Sequence, residues 1–374
     1  MTTTKARIDS IDLVRGLVMI LMALDHVRVY SAVPAGGQSP GVFFTRWITH
    51  FVAPAFAFLA GTSIYLHGKK LANRGVLSRF LLTRGLWLVF LELTVIRICW
   101  TFNLDFAHYM LAGVIWMLGI CMILMAAFIY LPLRVIGALG VAIIALHNIM
   151  DFVPQPENPG PLLGFLYTGG NPIGPLLVLY VIVPWIGVMM SGYAFGAVME
   201  LPQEQRRRIT LRLGIAATAL FFIVRFINVY GDPRPWTRDH PLSFIATTKY
   251  PASLAFLLMT LGPMFIAIAV AEHRTGRFAR IVTTFGRVPM FYYLLHIPLI
   301  HIAACIVSLI REGRVNPWLI GNFPVLPGPA PDGYMWSLGL LYLVYALCVV
   351  ALYFPCRWYA QVRAAKRSAW LSYI

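Results

Sequence analysis

An all-α polytopic membrane protein, with about ten transmembrane helices and both termini in the cytoplasm, is the fold class this sequence predicts. Three observations predict it. Of 374 residues, 59% are hydrophobic and only 12% charged, where a soluble domain carries about 25% charged residues. The apolar residues gather into runs that mostly reach about 18 positions, enough as helices to cross a hydrocarbon core of about 30 Å. More than two thirds of the 30 Lys and Arg fall on one side of the topology those runs generate, as the positive-inside rule requires of a cytoplasmic face.

The runs lie at 11–31, 43–66, 77–100, 106–131, 134–151, 176–200, 209–228, 252–271, 286–310 and 336–357. The first sits in SIDLVRGLVMILMALDHVRVY (10–30) and carries Asp12, Arg15, Asp25, His26 and Arg28. Ionisable groups in a spanning helix cost about 2.5–3.5 kcal/mol each near the centre, so they face protein or a wet cavity. The second contains Pro54, which removes a backbone donor, and Gly61, Thr62 and Ser63, which permit close helix approach. The fifth is the shortest and ends at Asp151. The ninth opens FGRVPMFYYLLHIPLIH, with Tyr292 and Tyr293 one helical turn before His296. After the tenth, RWYAQVRAAKRSAWLSYI interleaves basic and aromatic residues, as an interfacial anchor on anionic lipid does. The even number of spans keeps both termini on the basic side.

A net charge of +16 raises the question of nucleic acid. The basic residues are scattered in short clusters between apolar runs, which excludes that reading and leaves the lipid bilayer as the partner. The five cysteines (Cys99, Cys121, Cys305, Cys348, Cys356) lie in or beside apolar runs without CxxC spacing, so neither a disulfide framework nor a thiolate metal site is supported. The first run is too long and too charged for a cleavable signal peptide. Three connections on the less basic side, 152–175, 229–251 and 311–335, are long and rich in Pro and Gly, as binding loops and lids often are.

Seven of the nine histidines fall from mid-membrane towards the outer face, among Asp25, Arg28, Arg46, Arg97 and Asp105, which puts the candidate chemistry there. His26 titrates near neutral pH and suits a general base. Adjacent Asp25 points about 100° away on the helix, so its partner must come from another helix, and His50 stands at a compatible depth. The alternatives are a hydrogen-bonded structural cluster, or a metal site if His26, His50 and Asp105 converge. No HxxxH or HExxH spacing supports the metal. The candidate catalytic set is therefore His26, Asp25, His50, Arg28 and His296. On the basic side Arg15, Asp12, Lys69, Lys70, Arg84 and Arg287 could gather around a phosphate-bearing ligand, although positive-inside bias alone also accounts for them. The loop NVYGDPRPWTRDH (228–240) sets Tyr230 and Trp236 among Asp232, Arg234, Arg238 and Asp239, suited to a sugar or a polar headgroup, or to a Pro-stiffened loop alone.

The stretches RIDSIDLVRGLVMILM (7–22), LDH (24–26), FVAPAFAFLAGTSIYL (51–66), FGRVPMFYYLLHIPLIH (285–301) and YFPCRWYAQVRAAKR (353–367) together resemble the heparan-α-glucosaminide N-acetyltransferase catalytic-domain family, in particular its shorter bacterial members. These stretches are spread along the whole chain, so one domain over residues 1–374 is expected. The resemblance implies a transmembrane acyltransferase in the bacterial inner membrane. It would take acetyl-CoA or another acyl-CoA from the cytoplasm and pass the acyl group to a glycan or lipid-headgroup acceptor on the outer face. In the animal enzymes the catalytic histidine lies in the loop between the first two spans. Here that loop, 31–46, holds no histidine, and His26 and His50 flank it. On this reading His26 is the base, Asp25 and His50 set its tautomer, Arg28 stabilises an oxyanion, and Arg15 and Arg287 bind CoA phosphates with Asp12 holding Arg15. The other expectation is a proton-coupled transporter or flippase with an Asp25–His26–His296 relay. A homodimer is compatible with either.

Overall fold

The computed structural model describes residues 8–36, 39–154, 156, 159–274, 276–322 and 330–365. Helix makes up 72% of it and strand 3%. Eleven longer helices are used below: α1 (Asp9–Tyr30), α2 (Pro40–Gly68), α3 (Arg74–Leu91), α4 (Val114–Phe128), α5 (Leu133–Phe152), α6 (Trp185–Phe195), α7 (Gln203–Ile227), α8 (Leu254–Ala271), α9 (Arg277–Arg287), α10 (Pro289–Glu312) and α11 (Leu338–Ala365). Six of them, α2, α5, α7, α8, α10 and α11, are both long and apolar enough to cross a membrane. The ionisable residues of α1 exclude it from that group despite its 22 residues.

Burial divides the helices. The most apolar windows of α5, α7 and α11 are only 22% buried, whereas that of α8 is 72% buried. The first three expose apolar side chains such as Val141, Phe226 and Phe354, which is how a lipid-facing wall looks. At the centre stands α1, packed by α2, α8, α9, α10 and α11. That position is why it tolerates charge: its polar groups meet protein rather than lipid.

Small residues set the crossings. With no hydrophobic drive between helices in lipid, close backbone approach supplies the packing. A Cβ on Gly85 of α3 would lie 2.6 Å from the Gly119 carbonyl of α4, and one on Gly119 would lie 2.7 Å from the Gly85 carbonyl. In the same way Gly286 of α9 meets the Asp12 carbonyl of α1, and Gly16 meets that of Val282. This last pair locks α9 against α1 and brings the basic end of α9 beside Arg15.

Two expected spans, 106–131 and 176–200, are not continuous helices. Each begins with a short strand: β1 (Met110–Ala112) pairs in parallel with β3 (Leu176–Val178), and β2 (Gly170–Ile173) adds antiparallel to β3. Helix α4 is left with 15 residues and α6 with 11. Pro184 removes a helical donor within the second segment, and Pro172 and Pro175 do so just before it. Leu111, Ala112 and Val178 of the sheet are buried, as non-helical backbone must be when it sits inside a membrane protein. The turn after α3 is π-helical (Glu92–Ile96), and there Glu92 turns its carboxylate onto the N–H groups of Ile115 and Trp116 at 2.8 and 3.0 Å. A buried side chain from one helix thus caps the next. The basic tail that was expected to anchor at an interface lies from 366 onward outside the described residues.

Candidate active site

The two ends of α1 carry different chemistry. At the end where α1 starts, a cavity of about 1260 Å³ is lined by Asp12, Arg15, Lys69, Lys70, Arg84 and Arg287, together with Ser63, Glu200 and Arg363. Every phosphate-binding candidate read from the sequence lines this one space. Arg15 braces it: its guanidinium bonds Asp12 at 3.2 Å, the Gly286 carbonyl at 3.4 Å and the Ser63 hydroxyl at 2.9 Å. Three helices are thereby tied at one cation, and Ser63 serves as its acceptor. Lys69 pairs with Glu200 at 3.3 Å. Hydrogen bonds to Tyr65 and Glu200 hold its ammonium above the ordinary lysine value. Arg287 pairs with Asp9 at 3.2 Å across the α9–α1 contact.

Inward the lining turns apolar, through Phe56, Leu118, Met122 and Met290, and ends at Met19 and Tyr293. Met19 is two helical turns from His26, and Tyr293 is one turn from His296, with ring centroids 5.1 Å apart. The cavity therefore runs from a cationic mouth to the edge of the histidine pair.

At the other end of α1, His26 Nδ1 lies 2.7 Å from His296 Nε2. The ring planes are 23° apart with centroids at 4.7 Å, so the two imidazoles meet edge to edge. His296 Nδ1 is surrounded by carbonyl oxygens, Tyr293 at 2.7 Å and Tyr292 at 3.2 Å. A carbonyl only accepts, so His296 Nδ1 carries its proton and its Nε2 is the acceptor. His26 Nδ1 is then the donor. His26 Nε2 keeps its lone pair, and Trp100 packs edge-on against this ring at 4.6 Å.

The partner of His26 is thus His296 and not His50. The His50 ring rests near Phe256, and among the described residues its buried Nδ1 has no hydrogen-bond partner. Asp25 does not bond His26 either: Arg28 Nε holds one oxygen at 3.0 Å and Arg46 holds the other at 2.7 Å. The Asp25–His26–His296 relay of the transport reading lacks its first link. Arg28 is spent on Asp25 and on the Val33 carbonyl at 2.9 Å, and so acts as a clamp. Asp105 joins His108 at 2.7 Å and Asn322 at 3.2 Å, apart from His26. Among the described residues no three His, Cys, Asp or Glu side chains gather as a metal site would need.

The loop at 228–240 uses its polar groups mainly to bind the segments around it. Asp232 accepts from Thr248 and Ser253 at 2.8 Å each, Trp236 Nε1 donates to the Arg225 carbonyl, and Arg234 donates to Thr248. What sequence reasoning missed is the rest of that connection. It folds back so that Lys249 and Tyr250 come beside Tyr180, Asp25 and Arg46. The only signal in the sequence was a lysine at the end of a long connection, which is indistinguishable from a solvated one.

These features define a polytopic helical membrane protein with a cationic, membrane-penetrating cavity that ends at a buried histidine pair. The chain belongs to the family described as heparan-alpha-glucosaminide N-acetyltransferase, catalytic, whose model matches residues 7–227, more than half its length. Membership suggests a membrane acetyltransferase. The match includes α1 and the whole of α2, whereas Lys249, Arg287 and His296 lie beyond it. No individual curated protein matches the chain.

Proposed function

We propose that the protein transfers an acetyl or other acyl group from acyl-CoA, bound in the cationic cavity, to an amine or hydroxyl at the far end of α1. The observation that carries this reading is the cavity itself. Its mouth offers Lys69, Lys70, Arg84 and Arg287 to the phosphates of CoA, with Arg15 held in place by Asp12 and Ser63. Its apolar inner part suits the thin pantetheine arm and the thioester. Its inner end, at Tyr293, directs the acyl carbon towards His26. A mouth lined by Arg and Lys fits the cytoplasmic side, with the acceptor entering from the outer face of a bacterial inner membrane.

In this reading His26 Nε2 accepts the proton of the attacking amine as nitrogen bonds to the thioester carbonyl carbon. The C–S bond breaks, and CoA leaves as the thiolate that recovers a proton. His296, donating from Nδ1 to backbone carbonyls, keeps the His26 lone pair on Nε2 and shares the positive charge that develops. Arg28 and Arg46 hold Asp25, whose carboxylate faces the imidazolium electrostatically.

The test is calorimetry of acetyl-CoA with the protein in lipid nanodiscs, followed by transfer of labelled acetyl to an amino sugar. Wild type is expected to bind and to transfer. The His26→Ala variant keeps binding and loses transfer, and Arg287→Ala weakens binding. A wild type that binds no CoA overturns the proposal.

A further inference from the structure

Within electrostatic reach of His26 the structure holds a buried cation that, among the described residues, has no carboxylate of its own. Lys249 is 7% exposed, and among the described residues no carboxylate pairs with it within 4 Å. Its ammonium lies over the rings of Tyr250 and Tyr180 at 5.2 and 5.7 Å. The carboxylate in reach, Asp25, is already taken by Arg28 and Arg46. The fourth basic group, His50, faces the same charges with its buried Nδ1 unpartnered. Lys249, Arg28 and Arg46 all lie within electrostatic reach of the His26 imidazole. Among the described residues the compartment thus sets two guanidinium groups and the Lys249 amine against one carboxylate. Leaving a buried charge without a partner is among the costlier arrangements in a protein, and inside a membrane such groups mark ligand sites. Tyr250 is 37% exposed, so the rim of the compartment reaches the surface.

We propose that Lys249, with Arg46 and His50, forms an anion subsite that selects acceptors carrying a phosphate, sulfate or carboxylate next to their nucleophile. Seated on Lys249, the anion supplies the missing counter-charge and brings the neighbouring amine or hydroxyl to His26. Burial pushes the Lys249 ammonium down from the ordinary lysine value, while Tyr250 and Asp25 act against that. A bound anion would reinforce them. The inference rests on the acceptor side of the reading above.

The experiment measures binding to full-length protein in phosphatidylcholine nanodiscs, without CoA. Glucosamine 6-phosphate is the anionic probe and glucosamine the neutral one. Wild type is expected to prefer the phosphorylated probe by about tenfold, near 1.4 kcal/mol. The Lys249→Met variant loses the preference while its affinity for glucosamine is unchanged, and Lys249→Arg keeps most of it. Lys249→Gln substitutes if the Met variant does not fold. A second arm compares melting in phosphatidylcholine and phosphatidylglycerol nanodiscs. Stabilisation by the anionic lipid that disappears in Lys249→Met, without a preference for the soluble probe, assigns the same subsite to a lipid headgroup. Absence of any Lys249-dependent effect in both arms overturns the proposal. Neither arm contains CoA, so failure here leaves acyl transfer standing, and a protein that binds no CoA still gives a readable result.

Discussion

His296 Nε2 stands 2.7 Å from His26 Nδ1, and that bond determines which nitrogen of His26 can serve as a base. Because the Nδ1 of His296 must donate to Tyr293 and Tyr292, the tautomer propagates from the α10 backbone through two rings. His296→Ala is expected to lower kcat of acetyl transfer by about 10²-fold, with the Kd of acetyl-CoA unchanged. His296→Gln, whose amide oxygen can accept from His26 Nδ1, should recover part of the rate. Wild-type kcat in the Ala variant would remove His296 from the mechanism.

Asp25 is the one carboxylate between two guanidinium groups. Converting it to Asn leaves both without a counter-charge, a change that costs about 3–5 kcal/mol for a buried pair. Thermal unfolding in detergent should show a clear fall in Tm for Asp25→Asn. Adding Arg46→Met to that variant should restore much of the loss. Additive destabilisation in the double variant would mean that the pair is not coupled.

The α1–α9 crossing also shapes the cavity mouth. A Cβ on Gly286 meets the Asp12 carbonyl, and Arg15 bonds the Gly286 carbonyl. Gly286→Ala should therefore lower both Tm and acetyl-CoA affinity. Gly36→Ala, where the added methyl meets nothing within 4 Å, should change neither. Equal behaviour of the two variants would contradict this account.

The anion preference should depend on pH with a defined sign. Burial lowers the Lys249 value, so its charged form is lost as pH rises through that lowered value. Titration of glucosamine 6-phosphate binding should show affinity falling on the alkaline side earlier than an exposed lysine, near 10.4, would give. In Lys249→Arg the fall should disappear, because guanidinium stays charged. A flat profile for the wild type would argue against Lys249 as the titrating group.

Much of the site's content was legible in the sequence. Charges inside an apolar run announced that α1 must face protein, and depth along the spans separated a phosphate-suited end from a histidine-rich one. The six residues assigned to the first end do line one cavity. The pairing at the second end was not legible. His26 needed a partner from another helix, and depth pointed to His50, whereas packing supplies His296. Spans 106–131 and 176–200 were overcounted as helix, because an apolar run does not reveal that its first residues form a buried strand.

What the sequence by itself determined was the environment of the chain: apolar runs and basic clusters fix a multi-pass helical membrane protein, because bilayer thickness and the cost of burying charge act on composition alone. What only the tertiary structure decided was which polar groups meet. Helical rotation, the glycine crossings and the folding back of a long connection bring His296 to His26, Arg46 to Asp25 and Lys249 beside them. Those contacts join residues some 20 to more than 200 positions apart in the chain, and no local pattern encodes a distance that packing alone sets.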